Sequence, residues 1–566
     1  MSHDHHDHEH SATGPLPEHL DLAVPDAELS PTQLGRRSFL RRAGLLGAAA
    51  VTPNVLGGTL GSPAAASPAG RGTGVAGGDV DDLLWLTGDH HLHTQYSPDA
   101  QYRISQQVDS AARFGLDWMV VTDHGSVAHQ KFDVAVVHAD IVQARKDNAR
   151  TLVFQGLEWN IPAAEHGTVF VSPGLDELGL LQEFEGSYDG VVTASTSPTP
   201  ANEALARAGI AFLGQAVTSQ RVGDALMLAN HPARKGLDSP HEIRGWRDTD
   251  PSVAVGMEGA PGHQAAAIPG AGHEKNGRGY YDNAPDLVKG SFAGYPLESY
   301  LTYGGFDWMT ATVGGLWDSL LAEGKPWWIT ANSDSHQIYG DTFTQGTQDF
   351  ASTGSHGAPV DSGSPILRYG DFAPGYYSGT VVGATDFSYA AVMAGIRAGR
   401  MYVVHGGLVG AVSVRLVGGG AAPATLGGTF MGNSGNDLEL RVDIALADRP
   451  NFHGDIPRLA KVDLVVGSVT GPAQDPDTFV ADARVVETFE VPSQAPGGVH
   501  SIRYRLRGGK KPFYLRLRGS DGRRNATGLR GAAVDPSGPR VDAIGNADPW
   551  QDLWFYTNPI FVLPAR

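Results

Sequence analysis

Histidines and carboxylates recur in this 566-residue chain where short apolar runs end. His91-Leu92-His93 follows the run Leu84–Thr87, Asp123-His124 follows Trp118–Thr122, and Glu158 follows Leu152–Gly156. His166 opens a fourth run at Thr168–Ser172, Asn230-His231-Pro232 follows Leu226–Ala229, and Asp334-Ser335-His336 follows Trp327–Thr330. Side chains alternate along a strand, so an HxH pair turns both imidazoles to one side and makes a pincer for a cation. Cysteine is absent, so a metal must be held by imidazole and carboxylate, a donor set suited to hydrolytic chemistry. Two cations about 3.5–4 Å apart can share one water, lower its pKa toward neutrality and clamp both oxygens of an ester. Glu158 suits the bridging position because its two oxygens can serve two ions. Catalysis would then rest on Glu158, Asp334 and His336 acting through a metal-held hydroxide, with no nucleophilic side chain. Asp89 and Asp123 lie beside these ligands and are expected to orient imidazoles. Arg234 and Lys235, just after His231-Pro232, are expected to receive a phosphate or another anion.

These residues need a scaffold that brings strand ends together. Seven runs read as strands, the six above with Val253–Met257, and amphipathic segments alternate with them, which predicts a parallel sheet wrapped by helices. In a parallel barrel the C-terminal strand ends meet at one mouth, where catalytic groups collect. Between the first two runs, Ile104, Val108, Ala111 and Ala112 recur at helical spacing, with Gly115 where a helix stop is wanted. Further helices are expected over 133–150, 201–211, 316–323 and 389–398. The Gly- and Pro-rich stretches 262–296 and 337–383 read as long loops on the working face. After about Gly406 the period becomes two, as in Leu438–Leu446, Val462–Val466, Ile502–Leu506 and Phe513–Leu517, which predicts an antiparallel β-sandwich. Arg503, Arg505, Arg507, Arg516 and Arg518 read as a basic stripe on one sheet face. The expected domains are 81–406 for the barrel and 407–566 for the sandwich.

The balance of 42 basic against 61 acidic residues, net −19, argues against a stable nucleic-acid partner held by the overall field. Residues 1–66 read as a leader: a His-rich segment, then Arg36-Arg37-Ser38-Phe39-Leu40, the apolar run Ala43–Val51, and Ala64-Ala65-Ala66. This string resembles a twin-arginine export signal, which implies passage through the twin-arginine translocase to the periplasm, cell wall or medium. The apolar run is shorter than the roughly 20 residues that span a bilayer, so no stable membrane insertion is expected. Residues 67–80 read as a linker.

Taken together the motifs His91-x-His93, Asp99, Asp123-His124, Glu158, His166, His231-Pro232 and Asp334-x-His336 resemble the polymerase and histidinol phosphatase (PHP) superfamily, over about Leu83 to His336. The amidohydrolase barrel also opens on HxH, but it expects a bridging lysine and a lone final aspartate in place of this glutamate and DxH. The resemblance implies a distorted (β/α)7 TIM-like barrel and three divalent ions, of zinc, manganese or iron. It places one ion on His91, His93, Glu158 and Asp334, a second on Glu158, His166 and His231, and a third on Asp99, His124 and His336. The strings Ala398–Val403 and Trp554–Val562 resemble the carbaryl-hydrolase-like branch of that superfamily. The activity implied first is hydrolysis of a small phosphoester. A carbamate or carboxylic ester hydrolase is the alternative, and a non-catalytic metal- or wall-binding protein is a third reading from a different class.

Overall fold

Ile104, Val108 and Ala111 are buried along the helix Ile104–Arg113 in the computed structural model, and Gly115 follows in the left-handed conformation (φ 80°) that stops a helix. The structure describes residues 83–272, 277–281, 285–432, 437–492, 496–507, 511–545 and 547–564. The expected leader, export signal and linker lie outside these residues.

The seven expected strands form in place: β1 Leu84–Asp89, β2 Trp118–Val121, β3 Leu152–Asn160, β4 His166–Val171, β5 Ala225–Ala229, β6 Ala254–Ala260 and β7 Trp328–Ala331. They pair in sequence order. The residues of β2, β5, β6 and β7 are buried throughout, as strands covered on both faces must be. Helices Val134–Asp147, Pro200–Thr218, Leu316–Leu321 and Tyr389–Arg397 occupy the predicted stretches, and Glu177–Tyr188 and Pro240–Thr249 are additional.

Two features depart from an all-parallel closed barrel. β4 runs antiparallel to both β3 and β5, because only residues 161–165 connect β3 to β4, far too few for a parallel crossover. This reversal starts β4 at the mouth where its neighbours end, which is why His166 opens a strand. The ladder also does not close. The strand Ser378–Ala384, in a stretch expected to be loop, pairs antiparallel with Leu84–Gly88 of β1 and takes the edge that β7 would need. β7 meets the first strand only beyond its end, through the bridge Leu92–Ser335 and the bonds Asp334 N–H to His91 O (2.9 Å) and His93 N–H to Ser335 O (3.0 Å).

A small hairpin, β8 Phe343–Thr344 with β9 Val360–Asp361, precedes that edge strand, β10 Ser378–Ala384. β11 Met401–His405 pairs with β10 and leads into a C-terminal set: β12 Val409–Gly418, β13 Thr429–Gly432, β14 Asp437–Leu446, β15 Lys461–Ser468, β16 Arg484–Glu490, β17 Val499–Arg507, β18 Phe513–Ser520, the hairpin β19 Asn525–Ala526 with β20 Gly538–Pro539, β21 Trp554–Thr557 and β22 Ile560–Pro564. The expected sandwich shares a sheet with the barrel strands, since β21 pairs with β11 and continues through β18 to β15 and β22. Its second layer is the sheet β12-β14-β17. Val412, Val414, Leu440, Val442 and Ile502 of that layer join Leu464, Leu515, Leu517 and Phe555 in one apolar core. Among the described residues the predicted basic stripe does not form. Arg503 and Arg505 lie on the exposed face of β17, whereas Arg516 and Arg518 are buried in β18, paired with Asp318 and with Asp463 and Asp535. Among the described residues no helix is long and apolar enough to cross a membrane.

Candidate metal centre

Glu158 stands at the middle of the strand ends, 1% exposed. Its Oε1 lies 3.2 Å from His91 Nε2, 2.8 Å from His166 Nδ1 and 3.2 Å from His231 Nε2. Its Oε2 lies 3.2 Å from His93 Nε2 and 2.8 Å from His124 Nδ1. Asp334 Oδ1 is 3.1 Å from His91 Nε2 and 3.2 Å from His93 Nε2, and these two nitrogens are 3.1 Å apart. At the outer edge, His124 Nε2 and His336 Nε2 are 3.4 Å apart, and each is 3.4 Å from a carboxylate oxygen of Asp99, which is 57% exposed. All nine predicted ligands therefore meet in one place.

The donors fit divalent ions. Atoms bound to one ion at about 2.0–2.2 Å sit roughly 3.0–3.5 Å from one another, the spacing found among His91, His93, Glu158 and Asp334. Glu158 Oε2 and Asp334 Oδ1 are buried and, among the described residues, accept no well-formed hydrogen bond although imidazole nitrogens surround them. Such atoms are costly unless something else satisfies them. Four-donor and three-donor groups able to hold an ion include His91-His93-Glu158-Asp334, His93-His124-His336 and His124-Glu158-His166.

The charge balance follows from burial and crowding. Burial alone would push Glu158 up, but His124, His166 and His91 hold its carboxyl well below the usual range. Asp334 is held down likewise, against its burial, by His263 and His91. His91 is raised well above an ordinary imidazole, since Asp334, Glu158 and Glu258 outweigh its burial. His231 is lowered to about 3 by burial and the nearby Arg234, and His336 to about 4 by burial and His93. His231 (φ 29°) and Asp334 (φ 45°) take left-handed backbone conformations that side chains disfavour, strain of the kind that gathers at functional sites.

The supporting residues are partly those expected. Asp123 accepts from the Ser97 hydroxyl (2.8 Å), which sits 2.9 Å from His93 Nδ1, so it orients that imidazole through a serine. Asp89 does not orient an imidazole. Its oxygens accept the backbone N–H groups of His91 (3.1 Å) and Ser333 (3.0 Å), tying the first and last strand ends together. The ring of His91 is held by Glu258, 2.7 Å from Nδ1, whose other oxygen accepts the His231 N–H at 2.7 Å. Arg234 lines a cavity of about 310 Å³ over the centre. Lys235 is half exposed and drawn to Glu165 at 2.7 Å, away from the cavity. Glu165, buried beside Arg234 and Lys235, faces His166 and His231 at 3.9 Å. Sequence reasoning missed Glu165, Glu258, His263 and Asp371. Glu258 carried a usable signal, because it follows the sixth apolar run just as His91, His124, Glu158, His231 and Asp334 follow theirs.

Residues 89–207 match the PHP domain. The matched segment holds His91, His93, Asp99, His124, Glu158 and His166, and the other three predicted ligands, His231, Asp334 and His336, lie after it. No match is found among the curated proteins. Six chains of solved structure match. One is a two-domain protein of Bacteroides vulgatus described as containing a predicted PHP-like metal-dependent phosphoesterase, 14% identical, with 84% of this chain and 99% of that chain covered and a TM-score of 0.32.

Proposed function

We propose that this chain is a metal-dependent hydrolase that cleaves phosphoesters. The observation that carries the reading is the crowding of five imidazole nitrogens within 3.2 Å of Glu158, whose Oε1 faces His91, His166 and His231 and whose Oε2 faces His93 and His124. A carboxylate so placed can serve as a bridge between ions. His91, His93, Glu158 and Asp334 would hold one ion, Glu158, His166 and His231 a second, and Asp99, His124 and His336 a third. The all-nitrogen-and-oxygen donor set suits zinc, manganese or iron. When bound, such ions acidify water and neutralise charge on a phosphoryl group. The chain's own part is to hold the donors still and to receive the substrate. Glu258 and Ser97 fix the rings of His91 and His93, and Arg234 presents a partly buried guanidinium to an anion in the cavity. Export by the twin-arginine route belongs to the same proposal. Replacing Arg36 and Arg37 by lysine should leave the protein in the cytoplasmic fraction, and unaltered export would remove that part.

A second reading, hydrolysis of a carbamate or carboxylic ester, draws on the two strings that resemble the carbaryl-hydrolase-like branch. They lie side by side as β11 and β21, and Asn558 between β21 and β22 grips the backbone of Ile329 in β7 at 2.9 and 3.2 Å. A panel of p-nitrophenyl phosphate, bis-p-nitrophenyl phosphate and a naphthyl carbamate, run with elemental analysis, separates the readings. Turnover of a phosphate ester with bound metal is expected, and Arg234→Ala should mainly raise KM for it. Turnover of the carbamate alone would overturn the phosphoester assignment.

A further inference from the structure

His263 is not among the nine converging ligands, yet it is wedged against them. Its Nε2 lies 2.8 Å from Asp334 Oδ2, and its Nδ1 lies 2.5 Å from Asp371 Oδ1. With a carboxylate at each end, both ring nitrogens are engaged and neither is left for a molecule in the cavity. Asp371 in turn accepts the backbone N–H groups of His336 and Gln337 through Oδ2, both at 2.7 Å. His263 itself takes a left-handed conformation (φ 54°), a cost that surrounding contacts must offset. The contact is built closely. A Cβ on Gly262 would fall 2.2 Å from Asp334 Cβ and from Ser333 O, so only glycine lets this backbone approach the end of β7.

We infer that Asp371 and His263 form a positioning relay that holds Asp334 by one oxygen. The side chain of Asp334 has two oxygens and a rotatable stem, and it could present either or both to a cation. With Oδ2 bonded to His263, only Oδ1 remains turned toward His91 and His93. The same Asp371 fixes the backbone of His336, so one carboxylate from the 337–378 segment sets two ligands, and His263 from the 261–272 segment completes the link. The inference rests on the reading that the centre binds cations and deepens it by naming what orients the fourth donor of the first ion.

The test uses the full-length protein loaded with Co(II), whose visible spectrum reports coordination. His263→Ala should weaken binding of one cation by at least about tenfold, the range seen when an outer partner of a metal ligand is removed, and should change the Co(II) spectrum. His263→Gln, whose side-chain amide can still donate to Asp334, should recover part of both. Asp371→Asn should shift the spectrum in the same direction, and it keeps the test open should His263→Ala fold poorly. Equal affinities and identical spectra for wild type, His263→Ala and Asp371→Asn would overturn the relay alone. A raised KM in His263→Ala with metal binding unchanged would overturn it too, making His263 a substrate contact. Wild-type protein that binds no Co(II) would instead remove the metal reading on which the relay rests.

Discussion

Five imidazoles stand within 3.2 Å of the two oxygens of Glu158, so this one residue decides whether the others form a centre or a set of repelling rings. Glu158→Ala removes the acceptor while leaving five imidazole nitrogens without it, three of them on buried rings. Metal content should fall by more than one ion per chain, and activity by at least about a hundredfold, since a direct ligand matters more than the outer partners that cost 10–100-fold. Elemental analysis and steady-state rates check this. Full occupancy in that variant would end the bridging role. At this scale much was legible beforehand, because His91, His93, His124, Glu158, His231, Asp334 and His336 each follow an apolar run. Lys235 was misjudged because sequence adjacency to Arg234 says nothing of direction. Its backbone turns left-handed (φ 59°) and its amine goes to Glu165.

Asp307 links three elements near the centre. Oδ1 accepts the N–H of Met309 (2.7 Å), capping the short helix Trp308–Ala311, and Oδ2 accepts the N–H of Ala233 (2.9 Å) and the Tyr281 hydroxyl (2.7 Å). Burial raises its pKa from 3.8 to about 7 despite these bonds. A carboxyl raised on folding keeps its proton in the folded state while the unfolded chain has lost it. It therefore contributes stability that is fully present below pH 3.8 and is lost as the pH rises through about 7. Each tenfold gain in proton affinity on folding corresponds to about 1.4 kcal/mol. Wild type should thus lose stability relative to Asp307→Asn as the pH rises from about 4 to about 7 in denaturant titrations. A difference that stays flat over that interval would show that Asp307 ionises normally. Most elements around the site were legible from periodicity, but the helices Glu177–Tyr188 and Pro240–Thr249, the hairpin β8–β9 and the edge strand β10 were not. β10 was read as loop because its sequence, Ser-Gly-Thr-Val-Val-Gly-Ala, lies in a Gly- and Pro-rich stretch and carries little apolar pattern. It becomes a strand because β1 offers it an edge.

β1–β7 share one continuous sheet with β10, β11, β13, β15, β16, β18, β21 and β22, while β12, β14 and β17 form a separate sheet, and buried charge fastens the two parts of the chain further. Asp318, at the helix Leu316–Leu321, receives Arg516 of β18 through two bonds of 3.0 and 2.8 Å and the Tyr514 hydroxyl at 2.9 Å, all out of solvent. Removing one member of a buried pair leaves an uncompensated charge and costs about 3–5 kcal/mol. Asp318→Ala should destabilise the strands β1–β7 and the C-terminal strands together, in one calorimetric transition. Two separated transitions in wild type, with only one shifted by the substitution, would show that the shared sheet does not couple them.

By itself the sequence determined the types of side chain that converge, their order and the strands that carry them. Those signals are local: apolar periodicity sets each strand, and a polar residue at its end is read from its neighbours. Only the tertiary structure decided that β10 occupies the edge of β1 and leaves the barrel ladder open, that Arg516 and Arg518 are buried rather than displayed, and that His263 and Asp371 meet. The last pair is 108 residues apart, in segments without a repeating pattern, and an encounter of that kind is set by how whole elements pack rather than by any stretch of chain.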